Sequence, residues 1–208
     1  MNSVIMVKKA IHYNVIQNIL QYYECPDTCK AECCRNGRVH IFEDEFNLLK
    51  ENDHERTNGI RSDVLYPALY IMNNPCSFLN QINRCETYER RPTVCGMYPF
   101  KVNNSGTTLG LQPCPLGFMI IKDISSWATD TISKADIPAA EKVEKMMQWE
   151  ISLESYAIEA SEFHSRESLQ EMQIPYDELE MLSMFLLSKN ALKKIPDVSD
   201  IQKKHCSI

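Results

Sequence analysis

The sequence predicts an α+β fold in which a small cysteine-rich, metal-binding core with short strands packs against N- and C-terminal helices. Three observations lead to this prediction. Apolar residues recur at helical spacing near the N-terminus and again beyond about residue 124. The segment between, about 24–123, holds eight of the nine cysteines, seven of the ten prolines and all of the glycines. Frequent proline and glycine keep elements short, so long helices are expected only outside this segment.

The first and middle elements follow from apolar periodicity. Residues 1 to about 23 carry apolar side chains three and four positions apart, which predicts an amphipathic helix. Arg38–Phe42 alternates like a strand, and Glu43–Glu51 is typical of a brief helix. Met97–Val102 and Thr108–Gln112 are predicted to form a hairpin across residues 103–106, where Asn and Gly tolerate the positive φ of a tight turn.

The last part of the chain predicts two helices. Pro138 is placed to begin a helix running to about His164, and a second is expected from about Pro175 to Lys194, before Pro196. We therefore divide the chain into residues 1–123, the first helix plus the cysteine module, and 124–208, a helical extension. The two parts are expected to pack as one globular unit.

Charge and hydropathy exclude several classes of protein. Twenty-two Lys and Arg against twenty-eight Asp and Glu give a net charge of -6, so binding to nucleic acid through phosphates is not expected. The longest apolar run, Gly117–Ile121, is far below the ~20 residues that span a membrane. Lys8 and Lys9 follow the first apolar residues rather than precede them, unlike a secretory signal. A cytoplasmic location is therefore expected, where thiols stay reduced.

The cysteines carry the functional prediction. They form two groups, Cys25, Cys29, Cys33 and Cys34, then Cys76, Cys85, Cys95 and Cys114. Thiolates bind soft metals such as zinc or iron–sulfur clusters, whereas magnesium and calcium prefer oxygen. Eight thiols can make two four-thiolate sites, or one site plus spare cysteines. Disulfides and unligated buried thiols are the alternatives. A reducing compartment and a chain long enough for its own core both disfavour disulfides.

The spacing of the first group limits its geometry. On one straight helix Cys25 and Cys33 would lie ~12 Å apart, too far for two ligands of one zinc ion. The segment therefore wraps round one centre, feeds two centres or serves a multi-iron cluster. Because neighbouring side chains usually face apart, one of Cys33 and Cys34 is expected to join a different site or stay free.

Both groups resemble a known family. Cys25–Cys34 with Arg38–Phe46 is similar to the opening of the YkgJ-like cysteine-cluster proteins, which have the pattern CxxCxxCC. Pro75–Leu79, Cys85–Phe100 and Cys114–Pro115 are similar to the family's later segments. The spacing differs, since three residues rather than two separate the first cysteines. The resemblance implies a zinc- or iron-chelating domain, and flagellin lysine-N-methylases, thought to carry an iron–sulfur cluster, have a similar cysteine block.

Other residues near the cysteines have two interpretations each. Arg84, Arg90 and Arg91 can offset thiolate charge or form a surface network with Glu86 and Glu89. Tyr88, Tyr98 and Phe100 can shield the site from water or serve as ordinary core aromatics. His40 is a possible ligand, but its place on an alternating strand predicts a surface residue.

The leading hypothesis is a metalloprotein whose cysteines hold a 4Fe-4S cluster or zinc, with the cluster favoured because multi-iron ligation tolerates irregular spacing. Two alternatives stay open. One is a protein-modifying enzyme similar to flagellin lysine-N-methylase, and the other is a zinc-stabilised adaptor that binds a protein partner. The sequence identifies no catalytic residue, so enzymatic activity is undecided.

Overall fold

A computed structural model describes residues 3–36, 38–102, 109–161, 172–174 and 178–190. Within them the predicted α+β class is confirmed, since helices flank a part that contains small antiparallel sheets. The predicted turn at 103–106, the ends of the last two helices and Cys206 lie outside the described residues.

The N-terminal helix α1, Ser3–Leu20, agrees with its prediction apart from its last turn. His12, Ile16, Ile19 and Leu20 are buried, three and four residues apart, so one face of α1 packs on the rest of the protein. The chain then enters the cysteine region through a turn at Tyr22 and Tyr23.

The cysteine region contains short elements, as its composition predicts. Its helices are α2, Glu32–Asn36, α3, Glu43–Asn52, α4, His54–Thr57, and α5, Thr93–Met97. Single 3-10 turns lie at Asp27–Cys29 and Tyr88–Arg90. Strands β1, Val39–Phe42, β2, Arg61–Ser62, and β3, Leu69–Met72, form an antiparallel sheet with β3 at its centre. Strands β2 and β3 were not predicted.

A second sheet links the cysteine region to the end of the chain. Strands β4, Phe100–Val102, and β5, Leu109–Leu111, pair antiparallel as predicted, with Phe100 opposite Leu111. The first strand is shorter than predicted, because Met97 ends helix α5. Strand β6, Met172–Gln173, pairs antiparallel with β5 and was not predicted. The sheet therefore brings two distant parts of the chain together.

Helices dominate the rest. They are α6, Pro115–Lys134, α7, Ala139–Ser161, and α8, Glu178–Asn190. Helices α7 and α8 were predicted, but α6 was not, and it crosses the boundary that we placed between residues 123 and 124. Its signal is present in the sequence, because Leu116, Ile120, Ile124 and Ala128 are four residues apart and all buried.

Two apolar cores result. The larger joins α1, the β4–β5 hairpin and α6–α8, with Trp149 and Tyr156 fully enclosed. The smaller lies between the first sheet and α3, and consists of Ile41, Leu49, Ile60, Met72 and Phe78. Across the described part of the chain, no helix is both long and apolar enough to span a bilayer.

Candidate metal centre

The first cysteine segment is folded back rather than helical throughout. The 3-10 turn at Asp27–Cys29 is closed by the Cys29 N–H, which donates to the Pro26 carbonyl at 2.9 Å. Lys30 and Ala31 then adopt left-handed conformations, with φ of 51° and 55°, before α2 begins. Two such residues in succession reverse the chain direction. The straight-helix geometry is therefore excluded, and Cys25, Cys29 and Cys33 can approach one another.

The second cysteine segment lies directly against the first. The Cys76 N–H donates to the Cys34 carbonyl at 2.7 Å. Arg84 bonds to the Asp27 carboxylate at 2.7 Å and to the Cys25 carbonyl at 3.5 Å. A bridge between Leu79 and Cys85 closes the loop that carries these contacts. Hydrogen bonds thus bring together two groups of cysteines that are about fifty residues apart in sequence.

Cys95 is positioned by contacts to two other helices. It lies on α5, whose first turn is capped where the Thr93 N–H donates to the Glu45 carboxylate of α3 at 2.7 Å. The Gln17 side chain of α1 donates to the Gly96 carbonyl next to Cys95. These two contacts, one to α3 and one to α1, fix α5, so the Cys95 thiol is held without a long helix of its own.

Cys114 begins α6 and is fully buried. Its Sγ accepts a hydrogen bond from the Gly117 N–H at 3.3 Å, so the thiol caps the helix. The Gln112 carbonyl oxygen lies 1.9 Å from where a Cβ on Gly117 would be, and only glycine fits there. The Tyr98 hydroxyl also donates to Cys114 Sγ. Sequence reasoning identified Cys114 but missed the role of Gly117.

The thiols surround a cavity of about 760 Å³. The cysteines that line it are Cys25, Cys29, Cys33, Cys34, Cys76, Cys85 and Cys95. Tyr98, the hydrogen-bond partner of Cys114, lines it as well. In the described ranges, no three Cys, His, Asp or Glu side chains converge closely enough to hold one metal ion as they stand. The cysteine side chains therefore surround a volume and do not converge on one position.

Burial keeps several of these thiols protonated in the absence of metal. It raises the pKa of Cys76 to about 11, that of Cys95 to about 12 and that of Cys114 to about 11. Thiolates are the species that bind soft metals, so a metal entering the site must displace these protons.

The adjacent Cys33 and Cys34 do not face apart as expected, because their Sγ atoms lie 3.9 Å apart. Two sulfurs on one tetrahedral metal at ~2.3 Å would be ~3.8 Å apart. The hydrogen bond between the two thiols raises the pKa of Cys33 and lowers that of Cys34. The pair can therefore bind one ion, or join two neighbouring centres.

Of the three arginines near the second group, Arg91 acts on the thiols. Its positive charge lowers the pKa of Cys34, and its guanidinium lies 4.1 Å from the centre of the Tyr88 ring. Arg84 instead pairs with Asp27, and Arg90 donates to Asn52. Glu86, one of the two acidic residues of the alternative surface network, pairs with Arg56.

The remaining candidates divide between site and core. Tyr98 contacts Cys114 and lines the cavity, whereas Phe100 is buried in the larger apolar core. His40 lies on the exposed side of β1, 3.1 Å from the Asp63 carboxylate. It is not among the residues that line the cavity.

The thiol groups in this part of the fold are of the chemical type that binds a soft metal. All of the cysteine ligands predicted from sequence lie in this one part of the fold, and seven of them face one cavity. Cationic and hydroxyl groups, those of Arg91 and Tyr98, are placed to stabilise thiolate charge.

Comparison with known proteins gives one match. Residues 24–115 match the family model CxxCxxCC, described as a putative zinc- or iron-chelating domain. That part of the chain is therefore similar to this family, in agreement with the resemblance in the cysteine segments. No curated protein and no solved structure matches the chain, and the similarity to flagellin methylases is not shown.

Proposed function

We propose that the CxxCxxCC domain of this protein holds an iron–sulfur cluster, of the 4Fe-4S type, through its cysteine thiolates. The observation that carries the proposal is the arrangement of the thiols around one cavity without convergence on a point. The family supports metal chelation in general, as zinc or iron. The choice of a cluster rests on geometry.

The geometric argument compares the two kinds of site. A zinc ion needs four donors within ~2.3 Å, so its sulfurs lie ~3.8 Å from one another. A 4Fe-4S cluster takes its four thiolates on different irons, which spreads the ligands around a larger body. Thiols that line a cavity of about 760 Å³ suit the second arrangement. The reversal of the chain at Lys30 and Ala31 lets the irregularly spaced cysteines of the first group approach one another.

Such a cluster would supply one-electron chemistry. The residues of this chain would bind it, exclude water and set its charge. Cys114 Sγ receives hydrogen bonds from the Tyr98 hydroxyl and the Gly117 N–H, and Arg91 places positive charge near the thiols of the second group. Hydrogen bonds and cations near the ligand sulfurs favour the reduced, more negative state. We place the protein in a reducing compartment, the cytoplasm, where its thiols would stay available.

Zinc is the second candidate, and one observation favours it. The 3.9 Å between the sulfurs of Cys33 and Cys34 is close to the edge of a tetrahedral thiolate site. Zinc bound to thiolates is colourless and has no redox chemistry, so the two candidates differ in a property that is simple to measure.

The test is anaerobic purification followed by a visible spectrum and counts of iron, zinc and acid-labile sulfide per chain. The proposal predicts brown protein with iron and sulfide in equal amounts. The Cys206→Ser variant is a matched control, because Cys206 is outside both cysteine groups, and it should keep the same spectrum. Colourless protein that contains zinc and lacks sulfide would contradict the proposal and establish the second candidate.

A further inference from the structure

The cavity that the thiols surround is open to solvent, since part of its lining is exposed. We call the exposed residues of that lining the mouth of the cavity. Within the part of the chain that the structure describes, the mouth carries four cations against one carboxylate, in a protein of net charge -6. The cations are Lys30, Arg38, Arg84 and Lys101, and the carboxylate is Asp27, which pairs with Arg84 at 2.7 Å. The mouth is therefore a positively charged patch on an acidic protein.

Apolar side chains lie beside these charges. Ile82 is 75% exposed, Tyr88 52% and Val94 47%, and all three line the cavity. Single exposed apolar residues are ordinary on a protein surface, but three around one opening are not scattered. Protein–protein interfaces combine apolar and aromatic side chains at the centre with polar groups at the edge. The mouth has both components of such an interface.

The turn that carries Ile82 is held by hydrogen bonds. A bridge between Leu79 and Cys85 closes it. Inside the turn, the side-chain oxygen of Asn80 accepts from the Ile82 N–H at 3.1 Å and from the Arg84 N–H at 2.8 Å. A surface that is ordered before binding loses less conformational entropy when a partner binds. Ile82 and Arg84 are thus presented together in a shape that binding does not have to create.

The exposed cations of the mouth are poorly placed to serve the thiolates. The half-buried Arg91, stacked 4.1 Å from the centre of the Tyr88 ring, is the cation whose charge reaches Cys34. Solvent and salt screen the charges of exposed side chains such as Lys30 and Arg38. Exposed charges of one sign do, however, steer an oppositely charged partner toward the surface that carries them.

The chemistry of the mouth favours one class of partner. A nucleic acid would use the cations through its phosphates, but its backbone gives Ile82 and Val94 no apolar contact. A small anion would leave the same two side chains in water. An acidic protein segment that also carries an apolar side chain contacts both the cations and the apolar residues.

We infer that the mouth of the cavity is a docking site for an acidic segment of another protein, with Ile82, Tyr88 and Val94 receiving an apolar side chain of that segment. The inference takes the metal site as the proposed function places it, whichever metal is bound. It adds to that function a surface through which a partner reaches the opening of the metal site.

The test begins with random twelve-residue peptides displayed on phage and selected on immobilised full-length protein whose metal has been counted. The selected peptides should be enriched in Asp and Glu and should contain a large apolar residue. One of them, synthesised with a fluorescent label, then gives affinities by anisotropy. Ile82→Ser and Arg38→Glu should each weaken its binding about tenfold, and added salt should weaken it further.

Matched controls lie on other surfaces. Val143→Ser on α7 and Lys122→Glu on α6 change exposed residues that do not line the cavity, and both should leave the affinity unchanged. Circular dichroism and metal counts show that each variant keeps its helices and its metal. If Ile82→Ser loses metal, Tyr88→Ser provides the same comparison.

Three outcomes would overturn the inference. Selection that yields no peptides, or peptides without an excess of acids, would exclude an acidic partner. Acidic peptides that bind Ile82→Ser and Arg38→Glu as well as the wild type would place their site elsewhere. Labelled single-stranded RNA whose binding both variants weaken, with no acidic peptide selected, would make the mouth a nucleic-acid site.

The metal counts and the peptide selection fail independently. Zinc without sulfide would contradict the proposed cluster, and acidic peptides bound at the mouth of that protein would still support the docking site. Brown protein with iron and sulfide that selects no acidic peptide would support the cluster and contradict the docking site.

Discussion

The helical and cysteine regions of this protein achieve order by different means. The helical region, made of α1, the β4–β5 hairpin and α6–α8, shares a core that includes seventeen buried residues, Trp149 and Phe185 among them, in the part of the chain whose burial is described. The core of the cysteine region contains five, although that region covers most of residues 24–102. Apolar burial drives folding roughly in proportion to the area removed from water. We therefore expect the helical region to be stabilised by its own core, and the cysteine region to depend on its polar contacts and on the metal that its thiols would bind.

The largest expected effect comes from emptying the larger core. Trp149 of α7 is 1% exposed, and Trp149→Ala should lower the free energy of unfolding by about 3–5 kcal/mol, because it removes the contacts of a large side chain and leaves a cavity. Chemical denaturation followed by circular dichroism measures it. Met147→Ala, on the same helix at 53% exposure, is the control and should change little. Equal effects of the two substitutions would contradict the assignment of this core.

The next effect tests the junction of the two regions at the start of α6. Gly117→Ala places a Cβ against the Gln112 carbonyl, and since backbone cannot rotate away, we expect a loss of about 1–3 kcal/mol. The displaced helix start also moves Cys114, so metal content should fall.

The matched control for this substitution is Gly59→Ala, where nothing lies within 4 Å of the new Cβ. It should leave both stability and metal content close to those of the wild type. Unchanged metal content in Gly117→Ala would show that Cys114 is not held in place by this close contact.

Replacement of alanine by glycine should change stability in opposite directions in the two regions. Ala31 has a φ of 55°, and this left-handed conformation costs an L-residue roughly 1–2 kcal/mol. Ala31→Gly should therefore stabilise the protein. The gain should be smaller than that cost, because glycine loses more conformational entropy on folding. Ala157→Gly in the interior of α7 should destabilise it by about 1 kcal/mol. Thermal unfolding of the two variants measures the contrast. Destabilisation by both substitutions would contradict the left-handed conformation of Ala31, and with it the reversal of the chain in the first cysteine segment.

These two regions also differ in how far sequence predicts them. Helices α1, α7 and α8 follow from apolar spacing, a local signal that survives in a single sequence. Helix α6 was missed although Leu116, Ile120 and Ile124 have that spacing, because Gly117 and Pro115 were attributed to the cysteine region. Pro115 in fact begins the helix, and Gly117 admits the Gln112 carbonyl.

The cysteine region is less predictable because its order is not local. Sequence identified the thiols, and their chemistry indicated a soft metal. It could not show which thiols lie next to one another, since that depends on contacts between distant segments, such as the hydrogen bond from Cys76 to Cys34. It also predicted that Cys33 and Cys34 face apart. Their sulfurs instead lie 3.9 Å apart on α2. The left-handed conformations of Lys30 and Ala31, which reverse the chain before α2, follow from no sequence rule for these residue types.

The smallest expected effect is a pH dependence in the sheet of the cysteine region. Hydrogen bonds from the Leu65 and Tyr66 N–H groups, with His40 nearby, lower the pKa of Asp63 below its ordinary value. When the pKa of a carboxyl group is lower in the folded state than in the unfolded state, its charged form stabilises the fold. This stabilisation is complete above the ordinary pKa and is lost as the pH falls through the lowered pKa. The wild type should therefore exceed Asp63→Asn in stability at pH 7, and the difference should shrink in acid. A difference that is constant with pH would rule out the carboxylate charge as its cause.

Amide hydrogen exchange of the metal-loaded and metal-free protein tests the contrast between the two regions most directly. Removal of metal by a chelator should speed exchange in α2, β1 and α5, whereas amides in the middle of α7 should stay protected by the larger core. The experiment needs protein whose metal content has been counted before and after treatment. If α7 lost protection as much as α2 and α5, or if exchange in the cysteine region did not change, metal would not be what orders that region.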